Sequence, residues 1–160
     1  MSIVLEVLLE AQHSTYTADA VEYRVPVGTT TLAAMITGDP PAPEDLTNAI
    51  GLLVDHLDDV AREVPAADLA DGIVVRGAGV ATVAAVETGG PATLPFVLHR
   101  RAAEDVFRTL ATETRADRRH NPGLPGDEVH TVLGACCALV AVLRRFQRDS
   151  LTIAAERTEP

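Results

Sequence analysis

The chain contains 160 residues, of which 47% are hydrophobic, so it is long enough for one domain with a sizeable core and too apolar to be disordered. Its formal net charge of −10 disfavours nonspecific binding to nucleic acids or to anionic membranes. Two tyrosines, three phenylalanines and no tryptophan leave too few rings for a base-stacking platform. We therefore expect no nucleic-acid partner.

The beginning of the chain shows no secretory signal, because it carries no basic segment and because Glu6 and Glu10 interrupt its apolar stretch. The longest uncharged run near the C-terminus, residues 129–143, is too short to cross a bilayer. We expect a cytoplasmic protein without a membrane partner. Cys136 and Cys137 are adjacent in an apolar helical stretch, which predicts buried thiols in a reducing compartment.

The first half of the chain predicts two strands followed by two helices. Residues 2–11 and 20–27 have the apolar content of strands, and the polar segment 12–19 joins them as a hairpin connection. The threonines after Gly28 cap a short helical turn that ends at Met35. A long helix is predicted to begin at Asp39-Pro40-Pro41 and to reach Val64, with apolar residues at spacings of three and four.

The second half alternates strands and helices. Its predicted elements are a buried strand at 72–76, a helix from 80, a loop at 89–95, a helix at 102–110, an arginine-rich turn at 114–120, a long buried helix at 127–148 and a last strand at 151–155. Strands and helices around one core predict an α/β fold for residues 1–160, as a single domain.

The turn between the buried strand and its helix is the candidate ligand site. Backbone N–H groups at the start of a helix bind phosphate when glycines leave them bare. Arg76, Gly77, Ala78 and Gly79 are therefore the predicted contacts for a phosphate or a nucleotide. The alternative is that the glycines only permit a tight turn and close packing of the helix on the strand.

The remaining polar residues do not predict catalysis. The five histidines are scattered without metal-ligand spacing, and no serine stands in a nucleophile elbow, so we predict no catalytic residue and no metal site. The carboxylates on the outer face of the long helix (Asp55, Asp58 and Asp59) are expected to be solvated.

A cluster of arginines at Arg115, Arg118 and Arg119 could hold an anion. Because Glu113 and Asp117 lie among these arginines, surface ion pairs are the preferred interpretation.

Several landmarks, in order, resemble the C-terminal lobe of the exopolyphosphatase/guanosine pentaphosphate phosphohydrolase (Ppx/GppA) family, within the actin-like ATPase superfamily. These landmarks are Val25-Pro26-Val27-Gly28, Asp39-Pro40-Pro41, the segment Gly77–Val86, Thr114-Arg115-Ala116-Asp117-Arg118 with Pro122-Gly123-Leu124, and Gly134 in the last long helix. The resemblance covers nearly the whole chain. It implies a ribonuclease H-like lobe, in which helices pack on a mixed sheet.

The chain departs from the family's pattern at its phosphate loops. Residues 2–7 stand where the family carries Asp-x-Gly-Gly-Gly-Ser-Thr-Glu, and Gly77-Ala78-Gly79 replaces Gly-Gly-Thr. Asp127-Glu128-Val129 replaces Arg-Ala-Asp, which reverses a charge. The family's catalytic carboxylate belongs to the first lobe, which has no counterpart in this sequence.

These departures predict a non-catalytic single-lobe relative that acts as a binding or assembly module and needs no cofactor. A lone lobe exposes the surface that would contact its partner lobe, so we expect a homo-oligomer, most simply a two-fold dimer, or a complex with a larger protein. Two alternatives remain. The chain could be half of a split polyphosphate or (p)ppGpp phosphohydrolase that uses Mg²⁺, or a small anion or nucleotide sensor.

Overall fold

The computed structural model describes residues 2–157, and its centre is one six-stranded mixed sheet. The strands lie in the order β3-β2-β1-β4-β6-β5. β1, β4 and β6 are parallel, whereas β2, β3 and β5 pair antiparallel to their neighbours. The strand bounds are β1 Val4–Leu9, β2 Ser14–Ala18, β3 Val21–Val25, β4 Gly72–Gly77, β5 Phe96–His99 and β6 Ser150–Ile153.

Within residues 2–157, six helices accompany the sheet, and α6 is at their centre. Every residue of α6 from Val132 to Leu143 is buried, and α1, α2, α3 and α4 all pack against this helix. The helix bounds are α1 Thr29–Ala34, α2 Pro43–Glu63, α3 Val80–Thr88, α4 Arg100–Thr112, α5 Arg115–Arg118 and α6 Thr131–Phe146, with 3-10 turns at Pro65–Ala67 and Gly126–Glu128. No helix in the described part of the chain is long and apolar enough to span a membrane.

The sheet buries one face and leaves the other accessible. Alternate residues of β1 show the division, because Leu5, Val7 and Leu9 are buried whereas Val4 and Leu8 are each 42% exposed. Cross-strand partners share a face, so the register extends the accessible side across the sheet. This open face comprises Val4, Glu6, Leu8, Thr15, Thr17, Glu22, Arg24, Val74, Arg76, Val97 and Thr152.

The predicted hairpin connection at 12–19 is wrong, because most of it forms β2. Ser14, Tyr16 and Ala18 alternate with threonines and point into the core, and the Ser14 hydroxyl donates to the carbonyl of Val27 at 2.8 Å. Asp19 and Ala20 then turn the chain with positive φ angles. The polar composition of residues 14–18 resembles a loop, but buried and accessible side chains alternate along this segment as they do in a strand.

Other boundaries shifted without changing the architecture. α2 begins at Pro43 rather than at Asp39, and α6 begins at Thr131 rather than at residue 127. β5 at Phe96–His99 was not predicted, because a four-residue edge strand after a proline carries little periodic signal. The predicted α/β class, with helices packed on a mixed sheet, is confirmed.

Candidate functional site

The glycine turn joins β4 to α3, as the sequence predicts. Gly79 is the N-cap of α3 in a left-handed conformation, with a φ of 80°. Gly77 has a φ of 125°, and a Cβ atom at this position would lie 1.9 Å from the carbonyl oxygen of Leu9 in β1. Gly77 is therefore required by the close approach of two backbones, which any L side chain would prevent.

Two of the predicted ligand contacts are already engaged within the fold. The Ala78 N–H donates to the Leu9 carbonyl at 2.7 Å. The Arg76 guanidinium lies 3.3 Å from the Glu6 carboxylate, which also accepts from Arg157 at 2.8 Å. The backbone donor of Ala78 is thus unavailable to a ligand, and the charge of Arg76 is balanced by a carboxylate on the neighbouring strand.

A carboxylate also lies at the positive end of α3. The Thr82 hydroxyl, in the first turn of the helix, donates to Glu128 Oε1 at 2.8 Å. Negative charge near a helix N-terminus is stabilising, so Glu128 takes a position that would also suit an anionic ligand. Comparison with the family's pattern showed that residues 127–129 carry negative charge in place of an arginine, but it did not predict this contact of Glu128 with Thr82.

A cavity of about 580 Å³ opens beside the turn, over the part of the open face formed by β1, β2, β3 and the end of β4. Arg76, Gly77 and Ala78 line it, whereas Gly79 does not. Its charged lining consists of four carboxylates against two arginines, namely Glu6, Glu10, Glu22, Glu156, Arg76 and Arg157. The excess of negative charge opposes a phosphate ligand here. Binding of a phosphate or nucleotide at Arg76–Gly79 stays a prediction.

No group of three or more His, Cys, Asp and Glu side chains among residues 2–157 has the arrangement of a metal site. On the outer face of α2, Asp58 pairs with Arg145 at 2.6 Å and Asp59 pairs with Arg62. Asp55 is exposed. These carboxylates lie on a solvated surface, as the sequence predicts, and the ion pairs of Asp58 and Asp59 are an addition that the structure supplies.

The interpretation of the arginine cluster as surface ion pairs is wrong, because none of the three arginines forms a salt bridge within residues 2–157 and Arg118 is buried. Its side chain is only 2% exposed and donates to the carbonyls of Leu110, Glu113 and Val129. The single turn of α5 directs this one arginine inward and leaves Arg115 and Arg119 exposed. Composition does not distinguish Arg118 from the other two, although Arg118 is the last residue of the landmark Thr114-Arg115-Ala116-Asp117-Arg118 and Arg119 lies outside it.

Both cysteines are buried in α6, as predicted. Burial raises the pKa of Cys136 far above its ordinary range, and it raises the pKa of Cys137 to about 12. The thiolate is therefore disfavoured at neutral pH, which makes both side chains poor nucleophiles.

Solved structures that superpose on this chain include exopolyphosphatases and Ppx/GppA phosphatases. An exopolyphosphatase-like protein superposes with a TM-score of 0.86 at 20% identity, over 96% of this chain and 55% of its own. The Ppx/GppA phosphatase of Aquifex aeolicus gives 0.83 at 19% identity, over 96% and 53%. An exopolyphosphatase from Cytophaga hutchinsonii gives 0.72 at 15% identity, over 96% and 53%. The chain has the fold of one lobe of these proteins.

The Ppx/GppA-like lobe spans about half the length of the solved structures it matches. No protein-family model matches the sequence, and no curated protein does. Identities of 15–20% demonstrate the fold and not the activity. The fold implied by the sequence landmarks is thereby confirmed.

Proposed function

We propose that this chain is a non-catalytic, single-lobe relative of the Ppx/GppA phosphatases that assembles with a second copy of itself through the open face of its sheet. The proposal rests on the combination of an accessible sheet face with a glycine turn at which the Ala78 N–H and the Arg76 guanidinium are engaged internally. In this proposal the lobe serves as an interaction surface and not as one half of a catalytic cleft.

The loss of catalysis is supported by how the glycine turn is occupied. Glu128 lies at the start of α3, and Glu6 neutralises Arg76 on the adjacent strand. A phosphate would have to displace or approach these carboxylates, at a cost in electrostatic repulsion. The site favours an internal salt-bridge network over a bound polyphosphate.

The binding role is supported by the composition of the open face. Val4 and Leu8 are each 42% exposed and Val97 is 52% exposed, so apolar side chains lie at both its centre and its β5 edge. Glu22 and Arg24 add both signs of charge on β3. A face with both signs of charge can complement itself in a two-fold interface, where the same patch meets its own copy.

The size of the face sets the expected strength of the dimer. Six strands about 4.8 Å apart and about five residues long present roughly 500 Å². Two copies would bury roughly 1,000 Å² in total, which is near the lower limit for specific interfaces. We therefore expect a reversible dimer that dissociates on dilution.

Sedimentation or light scattering at a series of concentrations tests this assembly. The wild type should approach twice the chain mass of 16.9 kDa at high concentration, and Leu8→Arg should stay monomeric because it places a second arginine beside Arg76. Leu69→Arg is the matched control, since Leu69 is 69% exposed and lies outside the open face. This control should dimerise normally.

Two results would contradict the proposal. Equal loss of dimer in Leu8→Arg and Leu69→Arg would place the interface elsewhere or make it unspecific. A wild type that remains monomeric at all concentrations would overturn self-assembly and would favour pairing with a separate first lobe, as in a split enzyme.

A further inference from the structure

Arg118 carries a buried positive charge that no carboxylate of residues 2–157 neutralises through a salt bridge. Its Nε, Nη1 and Nη2 atoms donate to the carbonyls of Leu110, Val129 and Glu113 at 3.0, 2.9 and 3.0 Å. A guanidinium has five N–H groups, so one on each terminal nitrogen lies outside these three bonds. Burial lowers the pKa of Arg118, whereas the nearby carboxylates of Asp39 and Glu113 raise it.

A second polar cavity, of about 480 Å³, has Arg118 among its lining residues. It is distinct from the cavity beside the glycine turn. Its lining consists of Ile36, Thr37, Gly38, Asp39, Arg115, Arg118 and His130. Three structural segments thus converge on it: the chain after α1, the start of α5 and the residue that precedes α6. The cavity volume is in the range of small-molecule sites.

The charges of this cavity favour an anion. Arg115 and Arg118 line it against one carboxylate, Asp39, in a protein whose net charge is −10. Asp39 Oδ1 accepts the backbone N–H of Arg115 at 2.6 Å, which holds the start of α5 at the cavity. The Arg115 guanidinium itself forms no salt bridge within residues 2–157.

His130 completes the polar lining on the side of α6. Its Nε2 atom lies 2.8 Å from the carbonyl of Ala33, so this nitrogen is the donor and carries the proton. The contact fixes the ring at the wall of the cavity. His130 is therefore a sensitive reporter for a ligand in this cavity.

We propose that the cavity binds a small oxyanion of the phosphate class, between the Arg115 guanidinium and the unbonded edge of Arg118. Planar guanidinium groups recognise such oxygens through paired, charge-assisted hydrogen bonds. Two arginines line the cavity against the single carboxylate of Asp39. A multiply charged anion would therefore neutralise the positive charge that Asp39 leaves unbalanced. This site is independent of the proposed assembly, since none of its residues belongs to the open face.

Titration with inorganic phosphate and with pyrophosphate, at constant ionic strength maintained with sodium chloride, tests the proposal. Calorimetry should detect binding to the wild type, and the NMR ring signals of His130 should shift while those of the other four histidines do not. Arg115→Ala should weaken binding by about tenfold or more, because it removes one of the two cationic contacts. Arg119→Ala is the matched control, an exposed arginine of the same segment outside the cavity.

A second variant, Asp39→Asn, should change the affinity for the anion in the opposite direction to Arg115→Ala. The asparagine carbonyl can still accept the Arg115 N–H, whereas the negative charge that competes with an anion is gone, so binding should tighten several-fold. Arg118 is left intact in all variants because it holds three backbone carbonyls. No binding to the folded wild type up to tens of millimolar, equal weakening by Arg115→Ala and Arg119→Ala, or unchanged affinity in Asp39→Asn would each overturn the site.

Discussion

At the scale of single residues, the two glycines of the β4–α3 turn have different roles. A Cβ atom on Gly77 would lie 1.9 Å from the Leu9 carbonyl oxygen, whereas one on Gly79 would meet the Ala135 side chain at 3.1 Å. Both have positive φ angles, but only Gly77 is held between two backbones. Packing of β4 against β1 thus explains Gly77 without any ligand.

Gly77→Ala should therefore destabilise the protein by about 3 kcal/mol or more, because the backbones of β1 and β4 would have to separate. Gly72→Ala is the matched control on the same strand, since a Cβ atom there would meet nothing within 4 Å. Its free energy of unfolding should stay within about 1 kcal/mol of the wild type. Urea denaturation of both variants measures the difference, and equal losses would contradict this account of Gly77.

At the scale of elements, the contact between α1 and α6 depends on Gly134. A Cβ atom at Gly134 would lie 1.9 Å from the carbonyl oxygen of Thr29, at the first residue of α1. The two helices approach each other closely at this crossing because glycine places no side chain between them. α1 in turn contributes Leu32 and Ala33 to the core.

Gly134→Ala should cost about 2 kcal/mol or more, because overpacking would push α1 away from α6. The control is Gly51→Ala in α2, where a Cβ atom would meet nothing within 4 Å and alanine is the better helix former. This control should gain about 0.5–1 kcal/mol. Thermal and urea unfolding of the two variants should give changes of opposite sign. A stabilised Gly134→Ala protein would disprove the close crossing.

At the scale of the whole molecule, these 160 residues have the fold of one lobe of the solved structures. The chain aligns over 96% of its own length but over only 53–55% of three structures described above. Hydrolysis of phosphoanhydrides depends on groups that hold a metal ion and position water. By resemblance to the family, the catalytic carboxylate belongs to the other lobe.

We therefore expect no hydrolysis of polyphosphate or of nucleoside triphosphates by the isolated chain with Mg²⁺. Phosphate release should equal that of a heat-inactivated sample over hours of incubation. Glu10→Gln is the informative variant, because Glu10 lines the cavity at the glycine turn. Release above the background that this substitution abolishes would demonstrate a retained active site and would refute the non-catalytic proposal.

Much of the architecture could be predicted because its signals are local. The apolar spacing of α2, the continuous apolar stretch of α6 and the glycines between β4 and α3 each identify an element within a few residues. The ordered landmarks then connected these elements to one lobe of a known fold. β2 was missed because a serine, two threonines and a tyrosine resemble a polar loop until the sheet buries alternate side chains.

The sequence by itself determined the α/β class, the central helix, the buried cysteines and the position of the glycine turn, because these follow from periodicity and composition over short segments. Only the tertiary structure decided what surrounds each polar group. Glu6 meets Arg76 across 70 positions of sequence, and Arg118 reaches three carbonyls only once α4, α5 and α6 are packed together. The open face is likewise decided by packing, because alternation marks two faces of a strand and does not state which one the helices cover.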